Sequence, residues 1–162
     1  MATLIELERA QSLSKLDPQL EPNEQEWRMI YMSPTLTSWM QDDLPKLQST
    51  WKVEVDPSQQ LDALVEEFCS GATLYYGTQF HPIEHVEDGI WQLKTPDLRI
   101  FGWFHVKDCF VGWRAGQADF IKTHDLYHGF AGETAIFRNR LDLNAPKFIP
   151  GVDPNAVVSN YT

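Results

Sequence analysis

Between residues 89 and 115, three runs rich in aromatic and β-branched residues (89–94, 98–106 and 109–114) are parted only by short turn signals. Pro96-Asp97 and Lys107-Asp108 read as two-residue turn centres, so the stretch predicts a three-stranded antiparallel meander. Register follows from the turns. Lys94 falls opposite Arg99, Gln92 opposite Phe101 and Ile90 opposite Trp103; across the second turn His105 falls opposite Phe110, Trp103 opposite Gly112 and Phe101 opposite Arg114. Alternation gathers these residues on one face. The other face then holds Trp91, Leu93, Leu98, Ile100, Phe104, Val106, Cys109, Val111 and Trp113, with no charge, and reads as the core side.

The first face carries Lys94, Arg99, Arg114 and His105 among Phe101, Trp103 and Phe110. Like charges placed directly opposite, as with Lys94 and Arg99, repel unless something anionic lies near. Cations interleaved with rings suit single-stranded nucleic acid, where phosphates meet the charges and bases stack on the aromatics. A solvated face, or one neutralised by the acidic N-terminal half, is the other reading.

Around the meander the pattern is helical. Asp56 is an N-cap with Pro57 at the first helical position, Leu61, Leu64, Val65 and Phe68 repeat at helical spacing, and Gly71 ends the helix. Residues 36–47 read as a helix interrupted by Pro45, residues 27–32 as a short strand, 75–88 as a loop and 124–142 as a further helix. Residues 1–26 form a polar arm with a weak leucine stripe and little expected role in the core. Residues 27–143 make one α+β domain, with helices before the meander and one after it. Residues 144–162, rich in proline, read as an extended tail.

Charge is unevenly spread. The chain of 162 residues has a net charge of −10, with 16 acidic against 5 basic side chains in residues 1–88 and 7 against 8 in residues 89–162. That balance argues against non-specific binding to DNA or membranes but leaves room for a local basic site. With 43% apolar residues and no run long enough to cross a bilayer, the chain should fold around a core without a membrane anchor. Two cysteines and no secretory pattern place it in the reducing cytoplasm.

No phosphate-binding loop, dinucleotide fingerprint or nucleophile elbow is present, and no cofactor is expected. His81 and His85 form an H-x-x-E-H spacing that binds zinc only on a helix, whereas here it falls in a loop-like stretch. His124 and His128 are read as part of a helix-capping segment. No metal is expected at either pair.

The runs Asp88-Gly89-Ile90-Trp91-Gln92-Leu93-Lys94 and Leu98-Arg99-Ile100-Phe101-Gly102-Trp103-Phe104 resemble the RelE/HigB-type toxin superfamily, over roughly residues 36–141. The resemblance implies a RelE-like α+β fold and metal-independent cleavage of messenger RNA at the ribosome by basic residues and a Tyr or His. Lys94 and Arg99 stand where that family carries its two basic residues, while the basic stretch after its last strand is replaced by Phe120-Ile121-Lys122. On this reading His105 is the acid–base group, Lys94, Arg99 and Arg114 stabilise the phosphate, and Tyr127 contributes from the following segment. Phe101, Trp103, Phe110 and Lys122 contact RNA, and an antitoxin is the expected partner. The rival reading is a catalytically silent protein whose acidic N-terminal half binds a basic partner.

Overall fold

A computed structural model describes every residue except Lys52. Its centre is a mixed sheet of six strands: β1 (Ser14–Lys15), β2 (Met29–Met32), β3 (Phe80–Pro82), β4 (Trp91–Lys94), β5 (Leu98–Val106) and β6 (Cys109–Gln117), in the order β1-β2-β6-β5-β4-β3. The expected meander is there as β4-β5-β6, but as the middle of this larger sheet, so a fold built on three antiparallel strands is incorrect. β2 lies parallel to β6, pairing Met29 with Cys109 and Met32 with Gly112. Ile30, Tyr31 and Met32 are all buried, as a parallel strand covered on both sides requires. The stretch read as a loop contains β3, which pairs Phe80 with Leu93 and His81 with Gln92.

Both faces of the sheet are covered. On one, α2 (Pro34–Asp42) and α3 (Pro57–Ser70) bring Leu36, Leu61, Leu64, Val65 and Phe68 against Trp91, Leu93, Ile100 and Phe104. Pro57 opens α3 and Gly71 closes it at φ +82, a conformation that glycine adopts without strain. On the other face lie α1 (Leu4–Arg9), α4 (Ala118–Thr123) and α5 (Tyr127–Arg140). The helix expected over 124–142 is α5, and α4 precedes it across a turn in which Asp125 has a positive φ, so more than one helix follows the meander. The last helix, α6 (Pro154–Val157), sits in the tail.

This second cover corrects the burial expected of the meander. Phe101 packs with Ile121, Ala131 and Phe130 of α4 and α5, and Trp103 packs with Leu4, Leu7, Leu141 and Phe137. Phe110 lies in the opposite cluster with Phe104 and Phe68. Two register shifts explain why Cys109, Phe110 and Val111 of β6 face opposite to the expectation. The pairing steps from Phe101↔Arg114 to Gly102↔Gly112, and from Phe104↔Phe110 to Val106↔Cys109. Trp113 and His105 are the extra residues, and each bulge reverses the facing of the residues beyond it. Gly102 is needed beside the first bulge, since a Cβ there would collide with the carbonyl oxygen of Val111. Ile90 precedes β4 and packs in the cluster under α5 instead of facing Trp103.

The chain ends belong to the same body. Leu4, Leu7, Leu13 and Leu16 of the N-terminal arm are buried, contrary to the minor role expected of it, and so are Val157 and Val158 of the tail. Arg28, fully buried, ties tail to core: its guanidinium donates to the carbonyls of Glu67, Phe68, Ala72, Ser159 and Asn160. Of these, the Glu67 and Phe68 carbonyls lie in the last turn of α3 and also accept from the N–H of Gly71. Among the described residues no helix is long and apolar enough to cross a membrane.

Candidate phosphate-binding site

The first hairpin closes as its turn chemistry dictates. Asp97, 1% exposed, accepts from the backbone N–H of Thr50 and from Gln60 Nε2, at 3.0 and 2.6 Å. Gln60 in turn accepts from Thr95 Oγ1 and the N–H of Asp97, so helix α3 locks the turn. Locked in this way, the hairpin holds Lys94 directly opposite Arg99, as the sequence predicted.

Both cations are half-buried, and Lys122 on α4 is near enough for its charge to bear on the Lys94 ammonium. Lys94 Nζ donates to the carbonyl of Gly77 at 2.8 Å, and Arg99 donates to the carbonyls of Thr95 and Leu98 at 2.6 and 2.7 Å. Burial, then repulsion from Arg99 and Lys122, pulls the Lys94 ammonium below its ordinary pKa. Among the described residues no carboxylate forms an ion pair with any of the three. Two polar atoms at this end of the sheet are also buried without a partner among the described residues: Arg99 Nε and Gln92 Oε1.

A groove of about 680 Å³ opens beside Lys94 and Arg99. Its walls are Val55, Ala63 and Leu64 on the α3 side and Tyr75, Thr78 and Gln79 on the loop before β3. Its one carboxylate, Glu67, is held by Gln79 Nε2 at 2.6 Å. Cations at one end, an apolar wall and an exposed tyrosine are the features that take a phosphate with an attached aromatic base.

The remaining predicted site residues are dispersed. His105 sits six residues along β5 from Arg99, a span of about 20 Å in extended chain, and its Nδ1 donates to the carbonyl of Lys147 at 3.1 Å. Arg114 is engaged, with NH1 at 2.6 Å from Glu133 Oε2 and the guanidinium 3.8 Å from the centre of the Phe130 ring. Tyr127 opens α5 with its ring 5.9 Å from that of Phe101. Phe101, Trp103 and Phe110 are each 0% exposed and offer no ring face on which a base could stack. The aromatic surface expected of the meander is thus inside the protein, while its cationic end remains accessible.

His81, which the sequence excludes as a zinc ligand because its spacing to His85 needs a helix, lies half-buried on β3. It stands opposite Gln92 and on the same side as Lys94 by alternation. Its Nδ1 is 2.8 Å from the carbonyl of Pro82, and its ring centre is 5.4 Å from that of Tyr76. No periodicity could have found it, because β3 is only three residues long and pairs through a loop. His85 stands in the following turn with its side chain exposed, so the two imidazoles do not share a helix face.

The chain matches no protein-family model, no curated protein and no solved structure.

Proposed function

We propose that the chain binds single-stranded RNA at the Lys94–Arg99–Lys122 cluster and acts as an endoribonuclease of the RelE/HigB toxin type, cutting messenger RNA on the ribosome. One observation carries this reading. A protein with 23 carboxylates and 13 Lys and Arg residues keeps three cations together with no ion-paired acid among the described residues. Mutual repulsion of the three is relieved when a phosphate arrives, which is the arrangement of an anion site. The adjoining groove, with Tyr75 on its wall, supplies a place for the attached base. Phosphoryl chemistry at such a site would draw on the same cations to stabilise charge developing on the phosphate oxygens. The test is binding of a labelled single-stranded oligoribonucleotide across a salt series, together with a cleavage assay on ribosomes loaded with messenger RNA. Absence of both binding and cutting rejects the reading.

A second reading has its own observation. The loop after β1 forms a groove of about 510 Å³ lined by Glu8, Asp17, Glu21, Glu24 and Glu26, with its lysine, Lys15, held 2.7 Å from Glu26. That surface suits a basic protein segment, which is an antitoxin under the first reading and the main partner if the chain is catalytically silent. Both readings place the chain in the cytoplasm, where the free, buried thiols of Cys69 and Cys109 suit a reducing compartment.

A further inference from the structure

Resting on the endoribonuclease reading, we infer that His81 and Lys94 are the acid–base pair of this site, His81 Nε2 taking the proton of a ribose 2′-hydroxyl and Lys94 giving one to the departing 5′-oxygen. The tautomer decides the role of His81. A carbonyl oxygen only accepts, so the 2.8 Å contact with Pro82 requires the proton to be on Nδ1. In the neutral imidazole with this tautomer, Nε2 carries the lone pair. The ring is steadied by Tyr76, whose ring centre is 5.4 Å away at an interplanar angle of 32°.

Position decides the pairing. His81 is opposite Gln92, and Lys94 is the next residue on that side of β4. Cβ atoms related in this diagonal way are about 7–8 Å apart. A phosphodiester set between them can present its 2′-hydroxyl to one and its 5′-oxygen to the other. Between the two lies the side of Gln92, 8% exposed, whose Oε1 has no hydrogen-bond partner among the described residues. That oxygen is enclosed by the protein, so it takes no part in holding the ribose. Arg99 and Lys122 remain to hold the phosphate oxygens. His105 has the same tautomer by the same logic but sits at the far end of β5, out of reach of these cations.

The step balances without any co-reactant. The 2′-oxygen forms a bond to phosphorus as its proton passes to Nε2, the phosphorus–5′-oxygen bond breaks, and the Lys94 ammonium protonates the leaving oxygen. The products are a 2′,3′-cyclic phosphate and a 5′-hydroxyl end, with imidazolium and amine exchanging protons with water afterwards. Lys94 suits the donor role because burial and its cationic neighbours lower the cost of giving up its proton.

The experiment uses messenger-RNA-loaded ribosomes and the full chain, with His81→Asn, His81→Ala, Lys94→Ala and His105→Ala. Asn keeps a donor near the position of Nδ1 for the Pro82 carbonyl and lacks any counterpart of Nε2, so its fold should match wild type in thermal melting even if Ala does not. His81→Asn should lower the cleavage rate by about 100-fold or more, the scale of acid–base catalysis, while oligoribonucleotide affinity stays within about twofold. His105→Ala should cut at the wild-type rate. Lys94→Ala should be slow on ordinary RNA and recover on RNA carrying a 5′-bridging sulfur, which leaves without a proton. Wild-type cleavage with equal cleavage by a folded His81→Asn overturns the inference and leaves the endoribonuclease reading standing. A 5′-phosphate product, or no cleavage by the wild type, overturns the inference as well; the latter removes the reading on which it rests.

Discussion

Arg28 Nε stands 3.5 Å from a carboxylate oxygen of Asp108, the residue at positive φ in the β5–β6 turn, and the pair fastens that turn to the end of α3 and to the tail. Asp108 also accepts from the N–H and the hydroxyl of Ser159, at 2.8 and 2.7 Å. Arg28→Met should therefore remove far more than one ion pair. It takes the guanidinium from five carbonyls, of which Glu67, Phe68 and Asn160 keep backbone donors, and from the Asp108 carboxylate, and a loss of about 3–5 kcal/mol is expected for breaking a buried pair from one side. Asp108→Asn should be milder, since an amide oxygen can still accept from Ser159. Urea unfolding measures both, and an Arg28→Met variant within about 1 kcal/mol of wild type would contradict the arrangement.

Acid should loosen the first hairpin. Burial alone would push the Asp97 carboxyl up, but hydrogen bonds from Ser49, Gln60 and the N–H groups of Thr50 and Trp51 override it and hold the pKa below the ordinary value. A depressed folded-state pKa stabilises the fold above the unfolded value of about 3.9, and the gain is lost as pH falls through the folded value. Asp97→Asn should thus be less stable than wild type at pH 7, with the difference shrinking below about pH 4. A deficit that does not change with pH would show that the charge plays no part.

Neither cysteine should react in the folded chain. Burial raises both thiols to about 12, and each is 0–1% exposed. An aromatic disulfide reagent at pH 8 should find no thiol in native protein and two after denaturation. Rapid native labelling would mean that α3 or β6 opens readily.

RNA affinity should depend on salt through Lys94, Arg99 and Lys122. Three phosphates neutralised on a single strand give a log–log slope of about −2, and Arg99→Ala should flatten it to about −1.4. Arg114→Ala should leave the slope unchanged, because Glu133 already neutralises that guanidinium. A slope that responds to Arg114 and ignores Arg99 would move the site to the α5 side.

The legible part of the sequence is local. Asp56, Pro57 and Gly71 announce α3, and Pro96-Asp97 sets the Lys94–Arg99 pairing, because each signal acts within a few residues. The parallel contact of Met29–Met32 with β6 spans about eighty residues and leaves no periodic trace. The bulges at Trp113 and His105 are equally silent, and from there the two faces exchange their residues. Phe101 and the cations do share one face of the sheet, but α5 covers the ring and leaves Lys94 accessible, and strand alternation carries no sign of that helix. His81 is hidden for a related reason, since its neighbour Gln92 is close only in the folded sheet.

The place of β2 between β1 and β6 has a consequence for synthesis. Strand Met29–Met32 leaves the ribosome early, but its parallel neighbour at 109–112 emerges only after most of the chain has been made. Until then its apolar residues have no partner on that edge, and Arg28 waits still longer for the carbonyls of Ser159 and Asn160. Late closure of this kind makes folding slow and leaves a nascent chain open to off-pathway association. A ribosome stalled between residues 33 and 108 would hold an unsatisfied edge strand, so this protein should draw on chaperones more heavily than its size alone implies.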